Sequence, residues 1–248
     1  MPDDALLSVR HVSKRFGGLL ALADVSFDVA EGDVFGIIGP NGAGKTTLFS
    51  CLVGAQRPTS GEIRFRGERI DRLRNPSVVR RGVVRTHQIV RPFRAMTVAE
   101  NVAVAAYFGA GKRRGAEADR RVREILERTS LAADADALAS TLSIGQLKRL
   151  EIARALATEP KVICLDEVMG GLNPAEIVGA MALIRAIRDT GVTVLMIEHH
   201  VHAVIGVSNR ILVLNFGETI AEGPPQEVLR NPAVVAAYLG DESDARSE

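Results

Sequence analysis

Apolar and polar residues alternate along the first part of the chain. Because successive side chains of a strand point to opposite faces, this period of two predicts antiparallel strands with one covered face. Residues 62–67 continue the same pattern. The apolar members of the first two stretches are Leu7, Val9 and Val12, then Val25, Phe27 and Val29.

A second kind of strand signal consists of short runs that are apolar throughout. These runs occupy residues 34–38, 162–165 and 192–197. They are typical of central parallel strands that helices cover on both faces. Residues 211–221, which contain the dipeptide Phe216-Gly217, predict a hairpin late in the chain.

Strand signals disappear between about residues 92 and 158, where helical periods replace them. Thr97 and Glu100 have the spacing of a capping box and mark the start of one helix. Two further apolar stripes, at 122–126 and 147–156, follow a glycine-rich basic linker. The region therefore predicts a helical insertion.

These patterns together predict an α/β fold whose core is interrupted by a helical subdomain. The expected bounds are 1–91 and 159–240 for the core and 92–158 for the insertion. Residues 241–248 are predicted to form a polar, frayed tail.

Composition and charge exclude several classes of protein. Of the 248 residues, 31 are basic and 30 acidic, so the net charge of +1 demands no nucleic acid and no anionic membrane. The apolar runs are far too short to span a bilayer, and the start lacks the regions of a signal peptide. Cys51 and Cys164 lie in apolar segments, which predicts packed free thiols. We therefore expect a protein of the cytosol, or of the cytosolic face of a membrane.

Residues 39–47, GPNGAGKTT, fit the phosphate-loop pattern G-x-x-x-x-G-K-[ST]. Small residues let backbone N–H groups curl closely around the phosphates of a nucleotide. Lys45 is placed to supply a positive charge to the β- and γ-phosphates, and the Thr46 hydroxyl to ligate Mg²⁺. The helix predicted at 46–53 agrees, because its N-terminus would face the anion. The predicted nucleotide contacts of this loop are Gly39, Pro40, Asn41, Gly42, Ala43, Gly44, Lys45, Thr46 and Thr47.

Two carboxylates, Asp166 and Glu167, follow the apolar run at 162–165. The carboxyl ends of parallel strands meet at the ligand crevice of an α/β sheet. Asp166 is thereby placed to help hold Mg²⁺, and Glu167 to orient or deprotonate an attacking water. The alternative is a pair of solvated charges at a strand end.

Residues 142–146, LSIGQ, precede the helix predicted at 147–156. For Ser143 alone, a helix N-cap is the alternative role. Together with the Asp166–Glu167 pair, however, the segment resembles the LSGGQ signature of the ABC (ATP-binding cassette) ATPases. Other motifs of this family are matched by Phe16 for the aromatic residue that stacks on adenine, Gln88 for the Q-loop, residues 171–174 for the D-loop and His199 for the switch histidine. The resemblance implies a P-loop NTPase fold with a RecA-like core, an N-terminal antiparallel β subdomain and an inserted α-helical subdomain.

Four positions depart from the family pattern. Ile144 replaces the first signature glycine, Asn173 the commoner D-loop aspartate, and His200 the aspartate that often follows the switch histidine. Val168 stands where a proline commonly follows the catalytic glutamate, so we expect a less constrained backbone there. The signature serine and second glycine, which carry the phosphate contacts in the family, are kept.

The resemblance also implies an active site shared by two ATPase domains. The phosphate loop of one domain and the signature of the other enclose one ATP, so hydrolysis is tied to closure of the dimer. An isolated monomer is then expected to be inactive. The implied roles are phosphate contact for Lys45 and for the other domain's Ser143, Gly145 and Gln146, Mg²⁺ coordination for Thr46, Gln88 and Asp166, and catalysis for Glu167, His199 and Gln88.

Within the family, the chain resembles ATPase subunits of bacterial branched-chain amino acid importers. The resemblance implies a peripheral subunit on the cytoplasmic side of the inner membrane. Its implied partners are a second ATPase subunit in a homo- or heterodimer, transmembrane permeases and, indirectly, a substrate-binding protein. The matching segments are 6–9, 15–19, 82–88, 94–101, 149–154 and 237–240.

Three alternatives remain open at this stage. The lipopolysaccharide-export ATPase shares the Tyr-Leu-Gly ending at 238–240 and is a second transporter hypothesis. A non-transport ABC ATPase acting on ribosomes or DNA, and a phosphoryl-transfer enzyme using the same loop, are the others.

His87 and His202 lie near motif positions and are most simply ordinary surface or core groups.

Overall fold

The computed structural model describes residues 5–86, 91–109 and 114–244. The strands are β1 (Ala5–Phe16), β2 (Leu19–Ala30), β3 (Val34–Ile38), β4 (Ser60–Phe65), β5 (Glu68–Arg69), β6 (Val83–Arg85), β7 (Val162–Asp166), β8 (Thr193–Ile197), β9 (Arg210–Asn215) and β10 (Glu218–Gly223). The helices are α1 (Lys45–Leu52), α2 (Asn75–Arg81), α3 (Val98–Phe108), α4 (Gly115–Arg128), α5 (Ile144–Ala157), α6 (Pro174–Arg188), α7 (Val201–Val207), α8 (Pro225–Val228) and α9 (Pro232–Asp244).

An antiparallel sheet with the strand order β2-β1-β4-β5 forms one layer. Val9 of β1 lies opposite Phe27 of β2 and Ile63 of β4, and all three side chains are buried. Phe27 also stacks on Phe35 of β3, with ring centroids 5.2 Å apart, which joins this layer to the second sheet. The period of two therefore predicted the covered face correctly.

The second sheet has the order β10-β9-β3-β8-β7-β6. Its strands run parallel except for the β9–β10 hairpin, as the sequence predicts. Every residue of β3, β7 and β8 is buried, which explains why these strands are apolar except for Thr193 and Asp166. Because β8 lies between β3 and β7, the carboxyl ends of the three strands meet at one edge.

Helices α3, α4 and α5 occupy the region predicted to be a helical insertion. Thr97 and Glu100 form both hydrogen bonds of the predicted capping box at the start of α3. The apolar faces of these helices share one core with the parallel sheet, in which Ile125 and Leu150 are fully buried together with Ile163. The insertion is thus packed onto the core and not merely tethered to it.

The C-terminal helix α9 extends into the segment predicted to be a polar tail. The sequence predicts a polar, frayed tail at residues 241–248, and the backbone of α9 is helical as far as Asp244. No proline follows Gly240 within this stretch to stop the helix. Within the described part of the chain, no helix is long and apolar enough to cross a membrane.

Candidate functional site

The phosphate loop connects β3 to α1 through strongly turned backbone. Gly39, Gly42 and Gly44 have φ values of 148°, 77° and 97°, which side-chain-bearing residues rarely adopt. A Cβ atom on Gly39 would lie 2.0 Å from the carbonyl oxygen of Leu214, and one on Gly44 would lie 2.5 Å from that of Ala21. Glycine is therefore required at both positions for steric reasons as well.

A cavity of about 500 Å³ opens over this loop. Phe16 contributes a half-exposed ring to its wall from the end of β1. The cavity brings together sequence-predicted residues from four parts of the chain. Its lining includes Phe16, Asn41, Gly42, Ala43, Gly44, Lys45, Thr46, Thr47, Glu167 and His199, with Phe216 from the β9–β10 turn.

Lys45 is the first residue of α1 and is 6% exposed. Its Nζ atom donates hydrogen bonds to the carbonyl oxygens of Gly39 and Pro40, at 2.5 and 2.7 Å. The ammonium group is therefore held inside the curve of the loop. At this position it can supply positive charge to an anion bound by the loop.

Asp166 is fully buried at the end of β7. Its backbone N–H donates to Thr86 Oγ1 at 3.0 Å, and its Oδ2 accepts a 2.5 Å hydrogen bond from Arg85 Nη2. Arg85 also donates to Ser50 Oγ on α1 at 2.9 Å. Arg85 thus joins the Asp166 carboxylate to the helix that follows the phosphate loop, a role that no motif in the sequence predicted.

The second oxygen of this carboxylate has the surroundings expected of a metal ligand. Asp166 Oδ1 is buried without a hydrogen-bond partner among the described residues. A buried, unpaired carboxylate oxygen is costly unless another group satisfies it, and Mg²⁺ prefers oxygen donors of this kind. Thr46 lines the phosphate-loop cavity, as does Glu167, the residue after Asp166. Gln88, the third predicted ligand, lies outside the described residues, as does His87.

Glu167 and His199 lie side by side at the cavity. His199 Nε2 is 2.8 Å from Glu167 Oε1, and the Glu167 backbone N–H donates to the Ile197 carbonyl at 2.9 Å. Glu167 has a φ of 50°, the left-handed region that non-glycine residues seldom occupy. Such strained conformations cost on the order of 1–3 kcal/mol and cluster at active sites.

Two residues that the sequence did not single out contact the chain beside Glu167. Lys148 Nζ, on α5, donates to the carbonyl oxygen of Glu167 at 2.8 Å. Glu198 is 2% exposed, and its Oε1 accepts a 2.8 Å hydrogen bond from the backbone N–H of Met169. Burial raises the pKa of Glu198 to about 7. Neither residue belongs to a motif. The only signal in the sequence is that Lys148 lies two residues after Gln146 and that Glu198 directly precedes His199.

The signature residues lie apart from the phosphate-loop cavity within one chain. Ser143 caps α5 with a full capping box, so the alternative N-cap role is present in the structure. Gln146 completes that box and also donates to Asp134 Oδ2 at 2.9 Å. A separate cavity of about 130 Å³, between α5 and α6, is lined by Ser143, Gly145 and Gln146.

His202 is exposed on α7, as expected of a surface group.

The family model for the ABC transporter matches residues 22–170, which contain the phosphate loop, the signature and the Asp166–Glu167 pair. The chain belongs to the ABC transporter ATPases. A second model, for the branched-chain amino acid ATP-binding cassette transporter, matches residues 218–244. Membership confirms the predicted ATP-binding, ATP-hydrolysing transporter subunit, and it excludes an unrelated phosphoryl-transfer enzyme.

Curated relatives extend over almost the whole chain. The high-affinity branched-chain amino acid transport ATP-binding proteins LivG of Salmonella typhimurium and BraF of Pseudomonas aeruginosa are 43% and 44% identical over 250 residues. In both cases 95% of this chain and 98% of the relative are covered. The lipopolysaccharide export system ATP-binding protein LptB of Acidithiobacillus ferridurans is 36% identical over 237 residues, covering 96% and 98%.

Solved structures of ATP-binding cassettes share the fold. The ADP conformation of MJ1267 aligns with a TM-score of 0.87 at 33% identity, covering 95% of this chain and 99% of that one. The post-hydrolysis state of MJ0796, a dimer bound to ADP and phosphate, aligns with a TM-score of 0.79 at 27% identity, covering 88% and 98%. The predicted α/β, P-loop NTPase fold class is confirmed.

Proposed function

We propose that this ATPase powers import of branched-chain amino acids or related small polar solutes. The observation that carries the proposal is 43–44% identity to LivG and BraF over 95% of the chain. Identity to LptB, the lipopolysaccharide-export relative, is lower at 36%. The match of residues 218–244 to the branched-chain amino acid cassette model supports the same choice.

The proposed working unit is a dimer of two ATPase subunits on transmembrane permeases, at the cytoplasmic side of the membrane. A substrate-binding protein would deliver the solute to the permeases. The separation of the signature from the phosphate-loop cavity supports a shared site, because Ser143 and Lys45 line different cavities of one chain. A solved relative, MJ0796, is itself dimeric.

In the proposed site, adenine stacks on Phe16 and the phosphates lie in loop 39–47 against Lys45. Glu167 accepts a proton from the attacking water, and His199 orients that carboxylate and donates toward the γ-phosphate. The N-terminus of α5 in the other subunit, with Ser143, brings donors and a partial positive charge to the same phosphate. Thr46, Asp166 and Gln88 would hold Mg²⁺, which would neutralise part of the phosphate charge.

Uptake measurements test the proposed transport. A strain lacking the gene is expected to lose uptake of radiolabelled leucine at low concentration, and the wild-type gene restores it. The Lys45→Ala variant, which cannot hold the phosphates, restores nothing. Normal leucine uptake in the deletion strain, with lipopolysaccharide missing from the surface, would instead establish the export hypothesis. Recovery of the protein with ribosomes or DNA, without permeases, would argue for a non-transport ABC ATPase.

A further inference from the structure

The main chain at residues 167–169 contains no proline that would restrict it. Val168 directly follows Glu167, and a valine leaves the preceding residue free of the restriction that a proline would impose. Glu167 nevertheless keeps a φ of 50°, an unfavourable value for a residue with a side chain. Contacts from elsewhere in the fold must therefore hold this conformation in place.

One such contact comes from the helical subdomain. Lys148, on the first turns of α5, donates from Nζ to the Glu167 carbonyl oxygen at 2.8 Å. A hydrogen bond from a charged donor is stronger than one between neutral groups. Since α5 begins at the signature, this bond joins the signature helix of a chain to that chain's own catalytic glutamate.

A further contact comes from the end of β8. Glu198 is buried, and its Oε1 accepts the hydrogen bond of the Met169 backbone N–H at 2.8 Å. Glu198 directly precedes His199, which contacts the Glu167 side chain at 2.8 Å. The buried Glu198 carboxyl group therefore holds the chain that follows Glu167, and Glu198 is also the neighbour in sequence of the histidine that contacts Glu167.

We propose that Lys148 and Glu198 are positioning residues that aim the Glu167 carboxylate at the attacking water. This inference rests on the proposed role of Glu167 as the base. Because Lys148 lies on α5, a displacement of this helix acts on the Glu167 carbonyl. The orientation of the Glu167 carboxylate therefore depends on the helical subdomain. Helix α5, which presents the signature to the ATP bound by the partner subunit, thus also adjusts hydrolysis of the ATP bound by its own chain.

Steady-state kinetics of Lys148→Met test the first contact. Loss of the donor leaves the phosphate loop untouched, so KM for ATP is expected to stay within about twofold of the wild-type value. The value of kcat is expected to fall about 10- to 100-fold, because a small misplacement of a catalytic group slows the chemical step. The variant should also accumulate ATP-bound dimers on size exclusion. Lys148→Arg, which keeps a cationic donor, should recover most of kcat. Lys161→Met, at an exposed lysine before β7, is the matched control.

The Glu198→Gln and Glu198→Ala pair tests the second contact. The amide oxygen of glutamine still accepts from Met169, so Glu198→Gln should keep kcat, whereas Glu198→Ala should lose it about tenfold. Hydrogen exchange provides a readout independent of activity. Backbone amides of residues 167–170 should exchange faster in Lys148→Met and Glu198→Ala than in wild type, without change in α1.

Two results would overturn the proposal. The first is wild-type kcat in Lys148→Met and Glu198→Ala, and the second is a kcat loss that Lys148→Arg does not recover. Failure of the base role itself is distinguishable, because Glu167→Gln would then also turn over normally. An inactive Glu167→Gln beside a fully active Lys148→Met refutes the positioning role alone.

Discussion

His199 Nε2 lies 2.8 Å from Glu167 Oε1, although 32 positions separate the two residues in the chain. The sheet register explains the distance, because Asp166 of β7 pairs directly with Ile197 of β8. The residues just beyond these two strand ends therefore meet over the phosphate loop. A carboxylate held by an imidazole in this way is oriented before any water is bound.

Replacement of Glu167 by glutamine should separate ATP binding from ATP hydrolysis. The amide keeps the size of the side chain and one acceptor oxygen, but it cannot accept the proton of the water. We expect hydrolysis to fall by about 10²–10⁴-fold, with ATP affinity retained and closed dimers accumulating. Phosphate release and size-exclusion chromatography with and without ATP-Mg²⁺ measure the two effects. Turnover at the wild-type rate would remove Glu167 from the role of base.

Replacement of Arg85 by methionine should destabilise the fold itself. Asp166 is fully buried and Arg85 is 14% exposed, so the variant leaves a carboxylate uncompensated in the interior. Breaking a buried pair in this way costs about 3–5 kcal/mol. Urea unfolding measures the loss. Arg188→Met is the control, because Arg188 and its partner Asp189 are 32% and 62% exposed and their pair is worth about 1 kcal/mol or less. Equal losses in the two variants would contradict the assignment.

The sequence predicted the main elements and left the sheet order undetermined. The alternation around Val9 and the capping box at Thr97 depend on local spacing, so they were predictable. The Arg85–Asp166 contact depends on β6 lying beside β7, where Arg85 pairs with Cys164. Nothing in the local pattern of 83–85 reveals that neighbour.

The sequence could not predict the side-chain contacts made across the site either. Motif matching located Glu167 and His199 because their types and order are distinctive. Lys148 and Glu198 act through backbone groups, which every residue has, and so leave no pattern in the sequence. The weaker constraint expected at Val168 was inferred from the missing proline, whereas the structure shows that Ile197, Lys148 and Glu198 all hydrogen-bond to the backbone of residues 167–169.

Glu198 should make stability depend on pH. Burial raises the pKa of this carboxyl from 4.5 to about 7, so the folded chain binds more protons than the unfolded chain between these values. Its free energy of unfolding should therefore fall as the pH rises from about 4.5 to about 7, by up to about 3 kcal/mol. Urea unfolding across this range measures the effect. Glu198→Gln should have a flatter profile and exceed wild type at pH 8; parallel profiles would contradict the prediction.

The two cysteines should be inert in the folded protein. Both thiols are free and buried, and burial raises the pKa of Cys51 to about 11 and that of Cys164 to about 12. Because the thiolate is the reactive form, a colorimetric thiol reagent at pH 8 should label neither cysteine quickly. Unfolding in urea should expose both to rapid reaction. Fast labelling of the native chain would show that one of them is accessible.

A mixture of two inactive variants should regain activity if the site is shared between subunits. In a dimer of Glu167→Gln with Ser143→Ala, one site contains both changes. The other site combines the intact Glu167 of one chain with the intact Ser143 of its partner. Hydrolysis should therefore return on mixing, although either variant alone is slow. A site built within one chain predicts no recovery, because every chain then contains a defect. Measurement of phosphate release against mixing ratio, with dimer formation followed by size exclusion, decides between the two arrangements.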